Sequence, residues 1–138
     1  MLDSNVLIDI AREPDGAVAR CFRAKSLGDV TISVVVSGEV LYGMAKRPDA
    51  RSNPSMAYLL SSLRTDGFEP ELGSTFGRVR LEVEKAGKGL SANDYWIAAH
   101  AMARDAVLVT GDRAIHDADI GGLKLEDWRG ALAVHRQD

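Results

Sequence analysis

Two short aliphatic runs, DVTIS at 29–33 and AVLVT at 106–110, are each only five residues long and are separated by segments of helical period. Strands so short and so rich in β-branched side chains are buried on both faces, and a parallel sheet covered by helices is the stable way to bury them. Parallel neighbours need crossover connections of a dozen or more residues, which the intervening helical segments supply. Helices are predicted from near Asn5, over 16–25, 34–46 and 54–64, then over 72–86 and 91–105. Val36, Val40, Gly43 and Met44 repeat on one side of the 34–46 helix until RPD stops it. Leu72, Phe76, Val79, Val83 and Ala86 do the same further on, where Gly87 and Gly89 close the helix, and Gly67 is read as the breaker of 54–64. LKLEDW at 123–128 gives a last strand, while Met1 and Leu2 leave only a clipped first one. The expected fold is α/β, a short parallel central sheet flanked by helices in one α/β/α sandwich. It spans 1–130 with no repeat or linker, and 131–138 reads as a loose end.

Composition narrows the function. With 138 residues and 46% hydrophobic side chains the chain can bury one real core. No run approaches the ~20 apolar residues of a membrane span, and no basic leader with a cleavage site opens it, so a cytoplasmic protein without a membrane partner is expected. The single cysteine, Cys21, excludes an internal disulfide and a Cys-rich zinc site. His100, His116 and His135 follow no H-E-x-x-H spacing. A net charge of −3 does not mark the whole molecule as a nucleic-acid binder.

Functional groups of open parallel sheets gather beyond the carboxyl ends of the strands. Four acids fall there: Asp3 after the clipped strand, Glu39 in the helix after DVTIS, Asp94 at the head of the helix before AVLVT, and Asp112 just past that strand. Each has a plainer role. Asp3 suits an N-cap for the helix beginning near Asn5. Ser91 and Asp94 make an S-x-x-D capping box, although Asp94 also heads the buried stripe Ile97, Ala98, Ala101, Met102. Asp112, in TGDR, suits a turn or the cap of a short helix. Glu39 borders the apolar side of its helix, and a carboxylate drawn toward a core is costly unless paired or bound to metal. Asp9, Asp29, Glu69, Glu82 and Glu84 read as surface charge. Four converging carboxylates repel one another unless cations lie among them, and oxygen-only ligands favour Mg²⁺ or Mn²⁺ over zinc. Such a cation lowers the pKa of a bound water and neutralises a phosphate, which suggests phosphodiester hydrolysis.

LDSN, the glutamate of SGEVLYG, ANDYWIAAHA, and VTGD followed by LEDW resemble, in this order, the motifs of PIN-domain ribonucleases, specifically VapC-type toxins of toxin–antitoxin pairs. The resemblance runs from Leu2 to about Trp128. It implies that Asp3, Glu39, Asp94 and Asp112 are the catalytic and metal-binding acids, with Mg²⁺ or Mn²⁺ as cofactor. Ser4, Asn5 and Thr110 match the supporting residues. It further implies endonucleolytic cleavage of RNA to 5′-phosphate and 3′-hydroxyl ends, a homodimer, and a VapB-type antitoxin that covers the groove and alone reaches operator DNA. The pattern departs from the family after the last motif, where a phenylalanine is replaced by Ile115 or His116. That leaves Asp117 as an alternative to Asp112, expected in a supporting role. Bound metal reverses the local field of an acid cluster, and Lys46, Arg47, Arg51, Lys88 and Arg113 are the candidate RNA contacts at its rim. Leu7, Ile10, Phe22, Leu41, Met44, Met56, Tyr58 and Trp96 are candidates for antitoxin docking, most of them better explained as core. Two rival functions stand beside this one. A haloacid-dehalogenase-type phosphatase would use Asp3 as nucleophile, with Ser33 and TGDRAIHD as its later motifs. A PIN-like module that binds RNA or protein without cutting would need no assembled acid quartet.

Overall fold

The computed structural model describes residues 1–130, and the segment expected to be a loose end lies outside the described residues. Four strands of three residues form: β1 Thr31–Ser33, β2 Arg64–Asp66, β3 Val107–Val109 and β4 Lys124–Glu126. β1 pairs parallel with β2, setting Ser33 opposite Asp66, and β3 pairs parallel with β4, setting Val109 opposite Glu126. Between the two pairs lies Leu2. It bridges parallel to Val109, and its amide donates to the Thr31 carbonyl at 2.9 Å. Asp3 N donates to Val109 O, and Val109 N to Met1 O, each at 2.9 Å. Across the platform the order is therefore β2, β1, Leu2, β3, β4, all parallel, with the clipped first strand at its centre.

Seven helices cover this platform among the described residues: α1 Ser4–Arg12, α2 Ala17–Arg23, α3 Val34–Lys46, α4 Asn53–Ser62, α5 Leu72–Lys85, α6 Ala92–Ala103 and α7 Arg113–Asp117. The expected 54–64 helix is shorter than its spacing suggested. Leu63 turns extended (φ −100°, ψ 143°), and Arg64–Asp66 becomes β2, which the sequence reading missed. Arg64 and Thr65 are exposed and only Asp66 is buried, so this strand has no apolar run to announce it. Its backbone ladder to β1 holds it in place.

α6 is the central helix. Ile97 and Ala101 pack with Leu2, Leu7, Ile32, Val36, Leu108 and Ile115 against the sheet. On its other side Tyr95 and Ala98 pack with Val79 and Val83 of α5. Burial on two faces fixes the axis of α6, and with it the position of Asp94 at its head. Of the apolar residues considered for docking, Leu7, Ile10 and Met56 are core, Phe22, Met44 and Trp96 are half-buried, and Leu41 and Tyr58 are exposed. No described helix is long and apolar enough to cross a membrane.

Candidate active site

In a parallel sheet whose connections run outward in both directions from one central strand, a crevice opens at the carboxyl ends where the order reverses. Here the reversal is at Leu2, and Asp3 is the next residue. Its carboxylate is 3% exposed and fully engaged. Oδ1 accepts from Ser4 N at 2.8 Å, while Oδ2 accepts from Thr110 Oγ1 at 2.7 Å and Asn5 Nδ2 at 3.0 Å. Asp3 is thus both the N-cap of α1 and a crevice acid, so its two readings are compatible. Asn5 Oδ1 accepts from Gly111 N at 3.0 Å, and Thr110 Oγ1 accepts from Asp112 N at 3.0 Å. Two short side chains, Asn5 and Thr110, therefore tie the loop after the first strand to the loop after β3. Both loops bear an acid.

The other three acids hang from helix beginnings and one mid-helix turn. Asp94 sits in the first turn of α6, where its amide donates to the Ser91 cap at 3.2 Å. Asp112 caps α7, its Oδ1 accepting from Ala114 N at 2.9 Å. Glu39, on α3, receives a hydrogen bond from Asn93 Nδ2 to Oε2 at 3.5 Å, with the Ser4 hydroxyl near enough to favour its charged form as well, while its Oε1 is buried with no partner at hydrogen-bond distance. Burial is the largest cause that pushes Glu39 above the ordinary carboxylate range, Asn93 opposes it, and the charges of Asp3 and Asp94 add to it. Asp94 is raised for the same reasons: burial first, opposed by Ser91, reinforced by Asp3 and Asp112. Asp3 and Asp94 thus act on Glu39, and Asp3 and Asp112 on Asp94. Among the described residues, no three acidic, imidazole or thiolate groups stand close enough together to hold a metal ion as they are, so the quartet borders a crevice rather than closing a cage.

Asp117 is elsewhere. Its side chain is 72% exposed and pairs with Arg113 at 3.8 Å, and it does not perturb Glu39 or Asp94. His116 occupies the departing position of the last motif, its Nε2 lying 2.9 Å from the Thr110 carbonyl, while Ile115 is core. Of the basic candidates, Lys46 and Arg47 line a groove of about 380 Å³ that ends at Ser4 and Glu39. Arg12 joins them there, unanticipated, because one cation in a helical run gives no directional signal. Arg51 is exposed outside that lining, and Lys88 donates to the Asp117 carbonyl at 2.7 Å. Asn93 was also missed, although its place beside Asp94 at the start of α6 was legible. Ser33, which the phosphatase reading enlists, is fully buried beneath α3 and α6.

A model of the PIN domain matches residues 1–121. The chain belongs to the PIN-domain family. Within it the likeness is to VapC proteins: ribonuclease VapC2 of Rickettsia felis is 32% identical over 130 residues, covering 93% of this chain and 96% of the relative. The tRNA(fMet)-specific endonuclease VapC of Shigella flexneri is 27% identical over 129 residues, with 93% and 96% covered. Among solved structures, the VapBC2 complex of Rickettsia felis bound to a promoter DNA fragment matches with TM-score 0.81 and 28% identity, covering 93% of this chain and 97% of that one. The expected family and its α/β fold are therefore both found. This PIN domain, of the VapC type, carries acids at all four positions the family resemblance pointed to.

Proposed function

We propose that this PIN domain is the toxin of a toxin–antitoxin pair, an endoribonuclease that depends on Mg²⁺ or Mn²⁺. The observation that carries the reading is the buried, unpartnered Glu39 Oε1, beside which Asp3 and Asp94 lie near enough for their charges to act on Glu39, with Asp112 acting in turn on Asp94. A buried anionic oxygen without a donor is stable when a cation completes it, and an all-oxygen set suits a hard divalent ion. The donor chemistry therefore suits the metal that the family implies, although the acids are not spaced to enclose an ion without moving inward. Asp3, Glu39, Asp94 and Asp112 would hold it. When bound, such an ion lowers the pKa of a water and neutralises phosphate charge.

The chain's own residues supply the rest. Asn5 and Thr110 fix the direction of the Asp3 carboxylate before any ligand arrives, so little reorganisation remains for the reacting state. Lys46 and Arg47, with Arg12, hold phosphates of the strand along the groove that leads to Glu39. Local basic residues thus answer the objection raised by the net negative charge. A VapB-type antitoxin covers this groove, a second copy of the chain completes a homodimer, and promoter DNA is reached through the antitoxin. The support here is the likeness to the VapBC2 complex on DNA. The name of the Shigella relative makes transfer RNA the first substrate to try.

The test is incubation of antitoxin-free protein with total RNA in Mg²⁺ or Mn²⁺, with new 5′-phosphate ends mapped by ligation. Discrete ends that vanish in EDTA and in Asp3→Asn support the reading. Intact RNA under every metal condition, with RNA still bound, would make the chain a binding module.

A further inference from the structure

Helices α3 and α6 are joined at two points. At the crevice, Asn93 donates to Glu39 Oε2 at 3.5 Å. Six residues before Glu39 lies Ser33, the cap of α3, and six residues after Asp94 lies His100. There His100 Nδ1 and Ser33 Oγ are 2.7 Å apart. Positions fall along one helix as they rise along the other. The two contacts are rungs of an antiparallel ladder, about 9–10 Å apart at 1.5 Å rise per residue, since Glu39 follows Ser33 by six residues and His100 follows Asn93 by seven.

The rungs differ in kind. The outer one is long and wet, whereas the inner one is short and dry, with Ser33 0% and His100 2% exposed. Burial is the main cause that holds the His100 imidazole below its ordinary pKa, with Asp66 pulling the other way. A neutral ring at pH 7 has one donor and one acceptor nitrogen. Ser33 Oγ also accepts from Val35 N at 3.2 Å, which caps α3. One hydroxyl therefore links the helix that carries Glu39 to the helix that carries Asp94. His100 Nε2 has no partner at full hydrogen-bond distance, the Gly67 backbone being the group that acts on the ring there, and the ring meets Phe68 edge-on at 5.3 Å. This Ser–His pair is no nucleophile, because Ser33 has no surface that a substrate can reach.

We propose that His100 is a positioning residue: its Nδ1 contact with Ser33 sets the separation of Glu39 and Asp94, and so the affinity of the crevice for metal. The inference rests on the metal-dependent reading above. Groups that orient metal-binding side chains commonly change metal affinity or activity about 10–100-fold when removed.

The experiment is Mn²⁺ binding by titration calorimetry, with kcat and KM for RNA cleavage, on wild type, His100→Asn, His100→Gln and Ser33→Ala, each checked for folding by circular dichroism. Asparagine places a polar atom two bonds from Cβ, as Nδ1 is placed, whereas glutamine places it where Nε2 lies. His100→Asn is expected to bind Mn²⁺ within about twofold of wild type. His100→Gln and Ser33→Ala are expected to lose about tenfold or more in Mn²⁺ affinity and in kcat, with KM for RNA within about twofold. The double variant His100→Gln with Ser33→Ala should be no worse than Ser33→Ala alone, because that change has already removed the contact. Wild-type Mn²⁺ affinity in His100→Gln and Ser33→Ala overturns the inference, as does an equal loss in His100→Asn and His100→Gln. If the histidine variants do not fold, Ser33→Ala stands in for them, and wild-type Mn²⁺ affinity in a variant that lacks both the His100 contact and the α3 cap overturns the inference. A wild-type protein that binds no Mn²⁺ overturns the metal reading and this inference together. Unchanged binding in the variants overturns this inference alone.

Discussion

Thr110→Val keeps the shape of a fully buried side chain and removes one hydroxyl from the middle of the switch point. That hydroxyl donates to the Asp3 carboxylate at 2.7 Å and accepts from Asp112 N at 3.0 Å and Asn5 Nδ2 at 3.2 Å. A hydrogen bond to a charged group contributes about 1.5–3 kcal/mol, and the loss is greatest where the charge is buried, as at Asp3. Asn5 keeps its bond to Asp3, so its share is small. The Asp112 amide loses a neutral partner, which costs about 0.5–1 kcal/mol. The sum is about 2–4 kcal/mol. Urea unfolding at pH 7 in EDTA reads it without any metal contribution, as a lower midpoint at unchanged slope. Thr110→Ser is the control: it keeps the hydroxyl and loses one buried methyl, about 1 kcal/mol. RNA cleavage should fall about 10–100-fold in Thr110→Val and little in Thr110→Ser. A Thr110→Val protein within about 0.5 kcal/mol of wild type, or no less stable than Thr110→Ser, would refute the idea that this hydroxyl holds the site together.

Other expectations follow from the same geometry. Glu39→Gln removes a charge that burial and two acids disfavour, so in EDTA it should raise stability while abolishing cleavage, a trade-off between stability and activity. The sign with pH is fixed: a carboxyl raised in the folded state contributes stability below its ordinary value of 4.5, and this is lost as pH rises through the raised value. The advantage of Glu39→Gln over wild type should therefore be near zero in acid and full near neutrality, as urea midpoints across pH would record. Lys46→Ala and Arg47→Ala should each weaken RNA binding and reduce the slope of log K against log salt by about 0.7, measured by fluorescence anisotropy at several salt concentrations. Asp117→Asn should cleave RNA within about twofold of wild type, because its one ion pair is with exposed Arg113.

The sandwich was legible because AVLVT is apolar on both faces, DVTIS is short and rich in β-branched residues, and the α6 stripe has an unbroken helical period. β2 was not, since an edge strand with two exposed residues carries no apolar pattern; its backbone ladder to β1 and the pairing of Asp66 with Arg104 hold it. The acids were legible through their position at strand ends and through the family's ordered motifs. Asp112 and Asp117 could not be told apart from spacing, because five residues of chain separate them; in the fold Asp112 acts on Asp94, whereas Asp117 is exposed and pairs with Arg113, which favours Asp112 for the proposed site. Arg12, Asn93 and the Ser33–His100 contact were hidden for a related reason. Each acts through a partner on another helix, and single-chain spacing says nothing about which helix lies opposite.

The central claim is that four acids form one metal-dependent site for RNA hydrolysis. Single-turnover cleavage of a defined transfer RNA in Mn²⁺ tests it most directly, with Asp3→Asn, Glu39→Gln, Asp94→Asn and Asp112→Asn compared with wild type at equal folded concentration. All four variants should fall to the level of the EDTA control, because removing any one carboxylate opens the same cation shell. Cleavage at the wild-type rate by any one of them would show that the quartet is not the catalytic unit.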